Sequence, residues 1–267
     1  MTGHTLLDTR SGNAVVVALD HGLTLGAPER FEDPAATLES VLAGDPDAVL
    51  VGPHFARHHA DMLEQAGVDV VLTADVVAWS VCPGRDDGTD IWTPAFDTEF
   101  LRALDPAGVK TVLVFGRDDT ATFRRNIAYV SHLAEELRGT GVPLVVEPVM
   151  WGGRVPDEVE SDPGYVADAL RMGWEYGADI LKAPYTGDPE SFGEIVENTP
   201  VPVMILGGPR TGTIFSLLEA VEGAIDAGAR GLMIGRGIWK SEDPARTVEA
   251  INRIVHDGAG AAEVWER

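Results

Sequence analysis

The sequence predicts an α/β protein, a single (β/α)8 TIM barrel that spans residues 1–267. Three observations predict it. The first two are that eight short apolar runs recur along the chain and that an amphipathic stretch follows each of them. The runs are nearly continuous rather than alternating, which is typical of parallel strands buried on both faces. A third observation is the length, since one barrel of this kind needs about 250 residues.

The elements are assigned in chain order. The strand candidates are Ala14–Asp20, Ala48–Pro53, Val68–Asp75, Val109–Gly116, Val142–Val149, Ala178–Pro184, Val201–Gly208 and Ala229–Arg236. The helix candidates are Pro34–Ala43, Phe55–Ala66, Thr98–Leu104, Ala121–Arg138, Tyr165–Tyr176, Pro189–Glu197, Ile214–Ala227 and Pro244–Val255.

Local signals support these assignments. Asp188-Pro189 and Asp243-Pro244 each place a capping carboxylate before a proline at the first helical position. Glycine stands at four helix-to-strand junctions, where a left-handed helix terminus is expected. The competing doubly wound sheet would need fewer strands and usually a Gly-rich first turn, and none follows Asp20.

Charge and composition exclude several classes of function. The chain has 43 acidic and 20 basic residues, a net charge of −23, which repels nucleic acid and anionic membrane surfaces. The longest apolar run, Ala14–Leu19, is far shorter than the ~20 residues of a membrane span. The first residues do not resemble a signal peptide, and the single Cys82 permits no internal disulfide. We therefore expect a soluble cytoplasmic protein.

Lysine is scarce in this chain. Only Lys110, Lys182 and Lys240 occur, and the other basic residues are arginines. An acidic, lysine-poor surface is typical of halophilic proteins, although a GC-rich genome also favours arginine. Because lysine is so rare here, each lysine that falls in an apolar strand becomes a candidate for chemistry.

In a (β/α)8 barrel, chemistry lies at the carboxyl ends of the strands. The polar and glycine residues at the predicted strand ends are Asp20, His21, His54, Asp75, Arg117, Asp118, Glu147, Lys182, Gly207, Gly208, Gly235 and Arg236. The one long loop, Asp75 to Asp97, is a candidate lid or oligomer contact.

Lys182 is the first candidate for catalysis. It lies inside the sixth apolar run, where an ammonium is costly to bury, and a buried lysine near other cations becomes a nucleophile that forms a Schiff base with a ketone. The alternative is a core lysine paired with Glu147 or Asp20. Lys110 opens the fourth strand, from which its long side chain could reach up the barrel to assist, or could instead only stabilise the amino-terminal face.

Two carboxylates accompany these lysines. Glu147 ends the fifth run and can serve as a general acid/base, and Asp20 has the same potential at the end of the first. Either could instead form a structural salt bridge. The combination of both carboxylates with Lys182 favours a catalytic site.

The ends of strands seven and eight predict a phosphate site. Ile205–Gly212 and Ile234–Trp239 are Gly-rich turns at the place where barrels commonly bind phosphate. Glycine lets backbone amides approach an anion, and Arg236 or Arg210 could add charge. The glycines could alternatively serve turn geometry alone.

A metal site is the weaker alternative. His54, His58, His59 and Asp61 cluster at the start of one predicted helix, without the glutamate of a zinc-protease motif. An exposed helix face explains them better, and we expect neither a metal nor a dissociable cofactor.

Four segments carry a resemblance to a known family. The ALDHG, ADILKAPYTGDPESF, GGPRTG and GARGLMIGRGIWKSEDP segments resemble the archaeal-type class I aldolases of the deoxyribose-phosphate aldolase/tagatose-bisphosphate aldolase superfamily, over nearly the whole chain. The resemblance implies that Lys182 forms the Schiff base and that Asp20 binds substrate or moves protons. It further implies that a phosphate is held by Gly207, Gly208, Gly235 and Arg236.

The segment after strand five departs from one branch of that superfamily. Archaeal fructose-bisphosphate aldolases and aminodeoxyheptulosonate synthases usually carry a tyrosine in a Tyr-Pro-Arg-Gly segment, whereas this chain reads EPVMWGGR. It looks more like tagatose-bisphosphate and sulfosugar-phosphate aldolases, in which the strand-five glutamate moves the proton. By that resemblance Glu147 is the proton shuttle and Lys110 assists it. Gly237 also replaces a customary asparagine.

These observations lead to one functional hypothesis with two alternatives. We expect a class I aldolase of carbohydrate metabolism, such as glycolysis, that converts a phosphorylated ketose of fructose or tagatose type into dihydroxyacetone phosphate and an aldehyde. Its catalytic residues would be Lys182, Glu147, Asp20 and Lys110, with His21 and Arg117 among the substrate-binding residues, and the resemblance favours a homo-oligomer. The alternatives are a transaldolase-like synthase or phosphorylated-dione thiolase, and a non-catalytic barrel that binds a phosphorylated metabolite.

Overall fold

A computed structural model describes residues 5–83, 91–156, 159, 161–207 and 212–266. Eight parallel strands close into a barrel in the order β1-β10-β9-β8-β7-β6-β3-β2. The barrel strands are β1 (Ala14–Ala18), β2 (Ala48–Val51), β3 (Asp69–Thr73), β6 (Gly108–Phe115), β7 (Leu144–Met150), β8 (Ile180–Ala183), β9 (Val203–Leu206) and β10 (Gly231–Ile234). Each lies within or beside a predicted run, so the (β/α)8 barrel is confirmed.

Helices cover the outside of the barrel. A 3₁₀ turn (Thr5–Leu7) precedes β1, and the helices are α1 (Gly22–Leu25), α2 (Pro34–Leu42), α3 (Pro53–His58), α4 (Ala60–Ala66), α5 (Thr98–Arg102), α6 (Thr120–Leu137), α7 (Pro163–Glu175), α8 (Pro189–Glu197), α9 (Ile214–Asp226), α10 (Arg236–Trp239), α11 (Pro244–Asp257) and α12 (Ala261–Val264). Within the described part of the chain, none of these helices is long and apolar enough to cross a membrane.

The predicted start and stop signals act as expected. The Asp188 carboxylate accepts from the Ser191 amide at the start of α8, and Asp243 accepts from the Arg246 amide at the start of α11. Gly67 ends α4 in the left-handed conformation, with φ of 65°. Sequence capping rules therefore set these helix boundaries.

Two predicted elements differ in the structure. The helix expected over Phe55–Ala66 is two helices, because His59 leaves helical geometry with φ of −113° and ψ of 21°. The segment from Asp75 to Asp97 was expected to be a loop, but both of its ends pair as an antiparallel hairpin, β4 (Asp75–Ala78) with β5 (Ile91–Pro94). The prediction of a loop is therefore wrong at these ends, and the role of the segment as a lid or oligomer contact stays a prediction.

The barrel interior is layered along its axis. Alternate strand residues point inward. Those nearest the amino-terminal end of the barrel form an apolar cluster together with Leu6 of the 3₁₀ turn. The cluster comprises Leu6, Ala14, Val16, Ala18, Ala48, Leu50, Val71, Val145, Ile180, Met204 and Met233. The outward residues pack against the helices in a larger core. We call this cluster the apolar floor, because it fills the barrel interior below the next layer of inward-pointing side chains.

Side chains take over from backbone pairing in the upper part of the seam between β3 and β6. Strand β3 pairs with β6 only as far as Thr73 opposite Lys110, and the chain then turns away into the β4–β5 hairpin. The Asp75 carboxylate accepts the Val112 amide hydrogen at 3.0 Å in place of a strand.

Asn126 of α6 bonds to the next backbone groups along the same edge of β6. Its side chain accepts from the Val114 amide at 2.7 Å and donates to the Val112 carbonyl at 2.9 Å. Because Asn126 is fully buried, the two β6 groups that it satisfies have no water to replace it.

We predict that N126A destabilises the fold by about 2–4 kcal/mol, because it leaves two buried backbone groups without partners. The measurement is urea unfolding monitored by circular dichroism. The matched control is N198A, since Asn198 makes one hydrogen bond to the Glu194 carbonyl at an exposed site, and its loss should cost less than about 0.5 kcal/mol. Equal effects for the two variants would contradict this role for Asn126.

Candidate active site

A layer of four charged side chains lies directly above the apolar floor. The Glu147 Oε2 atom is 2.9 Å from Lys110 Nζ and 3.1 Å from Lys182 Nζ, and Asp20 Oδ2 is 3.7 Å from Lys110 Nζ. Lys110, Glu147 and Lys182 are each only 6 % exposed. The order Asp20, Lys110, Glu147, Lys182 alternates in charge, so each buried ion has an opposite neighbour.

The two-residue period of the strands places these side chains on one level. Lys182 stands two positions after Ile180 on β8, and Glu147 stands two positions after Val145 on β7. Ile180 and Val145 belong to the apolar floor, so Lys182 and Glu147 point inward one layer above it.

Lys110 reaches this layer from below. Its Cα pairs in register with Val145, a floor residue, whereas Glu147 pairs with Val112 further along β6. The ammonium nevertheless contacts Glu147 Oε2, so the four-carbon side chain runs up the barrel. The expected placement of Lys110 at the beginning of a strand is correct, and its length brings the charge to the site.

Electrostatics fixes the charge of two members of the layer. Burial by itself would raise the pKa of Glu147, but the two ammonium groups outweigh it and lower that pKa to about 2. Burial would lower the pKa of Lys110, but Glu147, Asp20 and the nearby Asp75 outweigh it and raise that pKa above its ordinary value. At neutral pH the site therefore holds a carboxylate at Glu147 and an ammonium at Lys110.

Asp20 and His21 join this layer to the end of β10. His21 Nδ1 lies 3.6 Å from Asp20 Oδ1, and the imidazole packs edge-on against Trp239. A Cβ at Gly235 would overlap both the Ala18 carbonyl oxygen and the His21 ring, so this position needs glycine. Burial lowers the pKa of His21, with Lys182 and Arg236 acting in the same direction against Asp20, so the imidazole is neutral at pH 7.

The predicted phosphate residues have different surroundings. Gly207 is exposed directly after β9, and Arg236 is exposed at the start of α10, next to Gly235. Arg117 is buried two residues after the end of β6, at 5 % exposure. Gly208 lies outside the described residues, as does Arg210, the alternative to Arg236 as a source of positive charge at the phosphate site.

An aromatic wall beside β6 and β7 was not anticipated from the sequence. The Trp79 and Trp151 rings meet edge to face at a centroid distance of 5.3 Å. Both pack on an apolar cluster formed by Val77, Trp92, Val112, Val114 and Val149 at the carboxyl end of the barrel. The sequence shows Trp79 in the long segment after the third barrel strand and Trp151 directly after β7, but no local pattern indicates that the two rings meet.

A second unanticipated feature is the environment of Asp75. This strand-end carboxylate is fully buried, and its Oδ2 atom accepts from Trp92 Nε1 and Thr111 Oγ1 as well as from the β6 backbone. The sequence marked Asp75 only as one of several polar residues at a strand end. Its role depends on where β3 leaves the barrel wall, which no local pattern reveals.

The histidine alternative lacks a metal-ligand arrangement in the described part of the chain. No group of three or more histidine, cysteine, aspartate or glutamate side chains is close enough there to hold a metal ion. The His54 ring packs against Phe100 at 5.3 Å, and His59 packs against Phe55 at 4.5 Å. Lys240, the third lysine, is exposed beside Trp239.

Comparison with known proteins agrees with this geometry. The family described as "DeoC/LacD family aldolase" matches residues 14–241. The fructose-bisphosphate aldolase class 1 of Thermoproteus tenax is 30 % identical over 259 residues, covering 95 % of this chain and 94 % of that protein. The 2-amino-3,7-dideoxy-D-threo-hept-6-ulosonate synthase of Halobacterium salinarum is 33 % identical over 245 residues, covering 92 % and 87 % of the two chains.

A solved structure shows the same architecture. It is an archaeal fructose-1,6-bisphosphate aldolase with its catalytic lysine covalently bound to the carbinolamine intermediate of the substrate, and it superposes with a TM-score of 0.80 at 25 % identity. The match covers 96 % of this chain and 100 % of that one. Together with the buried pair of lysines at one glutamate, these similarities show that the chain belongs to the DeoC/LacD aldolase family and is a class I aldolase, a lyase that works through a Schiff base on lysine without a metal ion.

Proposed function

We propose that this aldolase cleaves and forms a phosphorylated ketose, with Lys182 as the Schiff-base lysine and Glu147 as the proton shuttle. The observation that carries the proposal is the position of Glu147 Oε2 between two buried ammonium nitrogens, 2.9 and 3.1 Å away. One of these lysines can form the imine while the other stays charged, and the carboxylate adjoins both. This is the minimum set of groups that the reaction requires.

Imine formation begins at Lys182. The Lys182 ammonium gives a proton to Glu147, and the free amine attacks the C2 carbonyl of the ketose; Glu147 returns the proton to the carbinolamine hydroxyl, which leaves as water and yields a protonated imine. The positive charge of the imine replaces the charge that Lys182 carries as an ammonium. With Asp20 and Glu147 negative and Lys110 positive, the layer is then electrically balanced, which stabilises the iminium in a water-poor site.

Cleavage of the C3–C4 bond follows. Glu147, which is ionised, takes the proton of the C4 hydroxyl; the C3–C4 bonding electrons move into the iminium, an aldehyde leaves and an enamine remains. Protonation of the enamine at C3 by Glu147 restores the iminium. Water then hydrolyses the iminium to release dihydroxyacetone phosphate and regenerate Lys182. The proton that Glu147 accepted is returned, so the cycle balances.

We infer the direction of the substrate from the order of the strands around the barrel. We place its 1-phosphate at the ends of β9 and β10, with Gly207, Gly208, Gly235 and Arg236. Strand β9 is the neighbour of β8, where Lys182 would meet C2. Glu147 on β7 would meet C4. The carbons beyond C4 then extend toward the wall formed by Trp79 and Trp151.

That aromatic wall favours an aldehyde without a charged group. Burying a second phosphate against tryptophan rings would cost its hydration, whereas an uncharged polyol or alkyl chain packs against them. Arg154, a basic residue close to this end of β7, is engaged by Asp118 at 3.3 Å. We therefore propose a ketose 1-phosphate of fructose or tagatose type as the substrate.

A transaldolase-like synthase is the second candidate. The observation that favours it is the 33 % identity to the Halobacterium salinarum synthase, which covers 92 % of this chain. The same Lys182 imine would form, and its enamine would add to a different acceptor.

We also propose where the enzyme acts. The net charge of −23 suits a salty cytoplasm, and we propose that the enzyme acts there as a homo-oligomer.

Borohydride reduction in the presence of dihydroxyacetone phosphate should trap the imine. We expect the protein mass to rise by that of the ketone phosphate less one oxygen atom, with the modified peptide containing Lys182. K182M should take up no adduct, and K240M, which removes an exposed lysine, should behave as wild type. An adduct on Lys110, or none at all on the active enzyme, would contradict the proposed role of Lys182.

Replacing the shuttle should separate binding from cleavage. For E147Q we expect kcat for ketose cleavage to fall about 10²–10⁴-fold, because the amide cannot accept the C4 proton. The borohydride adduct should still form at Lys182, which shows that the fold and the imine survive. The measurement is coupled detection of the released aldehyde, and an E147Q enzyme with more than a tenth of wild-type kcat would refute the shuttle.

A substrate panel tests the aromatic wall. We expect kcat/KM for fructose 1-phosphate or tagatose 1-phosphate to exceed that for the corresponding 1,6-bisphosphate by at least about tenfold. Assays at high and low KCl separate this preference from the salt requirement of an acidic protein. W151A should reduce the preference, and a wild-type enzyme that prefers the bisphosphates would overturn the assignment.

A further inference from the structure

A serine, a histidine and an aspartate form a hydrogen-bonded chain at the amino end of the barrel, opposite the aldolase site. Ser11 lies in the turn that leads into β1, Asp47 directly precedes β2, and His256 lies in the last turn of α11. His256 Nδ1 is 2.7 Å from Ser11 Oγ, and His256 Nε2 is 2.9 Å from Asp47 Oδ2. None of the three belongs to the aldolase site.

The partners of the imidazole decide which of its nitrogens can act as a base. Asp47 Oδ2 accepts from the Val15 amide at 2.7 Å, so we assign the hydrogen of the His256–Asp47 contact to Nε2 of the ring. A neutral imidazole carries one hydrogen, which leaves Nδ1 with a free electron pair for the Ser11 hydroxyl. In this orientation the histidine can take the proton of the serine.

The base of this chain is enclosed, whereas its nucleophile is accessible. The His256 side chain is 4 % exposed and the Asp47 side chain 25 % exposed, but Ser11 is an exposed residue. Burial keeps the imidazole in one orientation, and exposure leaves Ser11 Oγ open to a reagent from solvent. A nucleophile bonded to a base that a third group orients is the arrangement that activates a serine.

Fastening the turn before β1 to α11 does not require the serine hydroxyl. Asn13 Nδ2 donates to the Val255 carbonyl at 3.2 Å, and Arg10 Nη2 lies 2.9 Å from Asp257 Oδ1. A hydrogen bond from an exposed side chain adds little to these contacts. A structural role alone therefore does not account for the contact between the serine and the histidine.

Hydrogen-bond donors and a positive charge lie beside the serine. The Asn13 amide donates to Ser11 Oγ at 3.2 Å, and Arg230 Nε donates to the Gly12 carbonyl at 3.1 Å. A Cβ at Gly12 would lie 2.7 Å from Arg230 Nη2, so the lack of a side chain lets the guanidinium approach the residue next to Ser11. A guanidinium so placed favours the negative oxygen of a tetrahedral intermediate.

We propose that Ser11, His256 and Asp47 form a second reactive site, at which Ser11 is a nucleophile toward short-chain carboxylic esters. The flanking Arg10 and Arg230 are exposed and charged, so they suit a short acyl group rather than a long apolar chain. The proposal does not rest on the aldolase reaction, because the apolar floor separates the two ends of the barrel.

The reaction is an acyl transfer followed by hydrolysis. Ser11 Oγ attacks the ester carbonyl carbon while its proton passes to His256 Nδ1. The bond from that carbon to the alcohol oxygen breaks, the alcohol takes the proton from Nδ1, and an acyl-serine remains. Water attacks the acyl-serine by the same route, which releases the carboxylic acid and restores the Ser11 hydroxyl. Asp47 adjoins the imidazolium formed in each step and stabilises its charge.

Hydrolysis of p-nitrophenyl acetate by the full-length protein tests the site. We expect S11A to lower the rate of p-nitrophenolate release at least about tenfold, and H256Q, which keeps the serine but removes its base, to do the same. S11A should keep the melting temperature of wild type, since the removed hydroxyl is exposed. The matched control is S216A, because Ser216 donates to the Thr213 carbonyl instead of to a histidine, and it should hydrolyse the ester like wild type.

Covalent labelling gives a readout in the wild-type protein itself. A fluorophosphonate forms a bond from phosphorus to a nucleophilic serine oxygen with loss of hydrogen fluoride, and mass spectrometry of the digested protein locates the label. We expect the peptide with Ser11 to be labelled at least about tenfold faster than the peptide with Ser216. This comparison needs no variant, so it decides the question if H256Q does not fold.

The opposite results are equally specific. An S11A variant that releases p-nitrophenolate as fast as wild type, or a folded H256Q variant within tenfold of wild type, would overturn the proposal. Equal labelling of the Ser11 and Ser216 peptides would also overturn it, since that is the result if the hydrogen-bonded chain only fastens the turn to α11.

Discussion

The structure depends on one buried interaction, the sharing of the Glu147 carboxylate by two lysine ammonium groups. An unpaired ion at this depth would cost several kcal/mol. The barrel contains three such ions side by side because each partly neutralises the next. The arrangement is stable at rest, and it is also the one in which an imine cation at Lys182 would meet a carboxylate already in place.

The rest of the barrel makes this charged layer possible. The apolar floor below it excludes water from beneath, and the closed wall leaves the carboxyl end as the approach for substrate. Because side chains alternate strictly along each strand, the residues two positions above the floor must point into the same space. Backbone pairing stops where β3 leaves β6, and there Asp75 and Asn126 complete the hydrogen bonds that a neighbouring strand would make.

The opening at the carboxyl end of the barrel, its mouth, has a polar side and an aromatic side. The turns after β1 and β10 approach each other closely, at Asp20, His21 and Gly235. The backbone of these turns therefore lies close to the charged layer. Opposite them, Trp79 and Trp151 bring aromatic surface to the ends of the hairpin and β7. A ligand that spans this mouth therefore meets glycine-rich backbone at one end and ring faces at the other, which is the physical basis for proposing an asymmetric, singly phosphorylated substrate.

Much of this followed from the sequence because it depends on local order. Period, capping residues and strand-end polarity determined eight strands, most helix boundaries and the inward placement of Lys182 and Glu147. Tertiary structure alone decided that Lys110 reaches Glu147 from one layer below, that His59 interrupts a helix, and that Asp75 and Trp92 fasten a hairpin to β6. Those features depend on the register between strands distant in the chain and on where one strand leaves the wall, and the energy that sets them comes from contacts that no local segment contains.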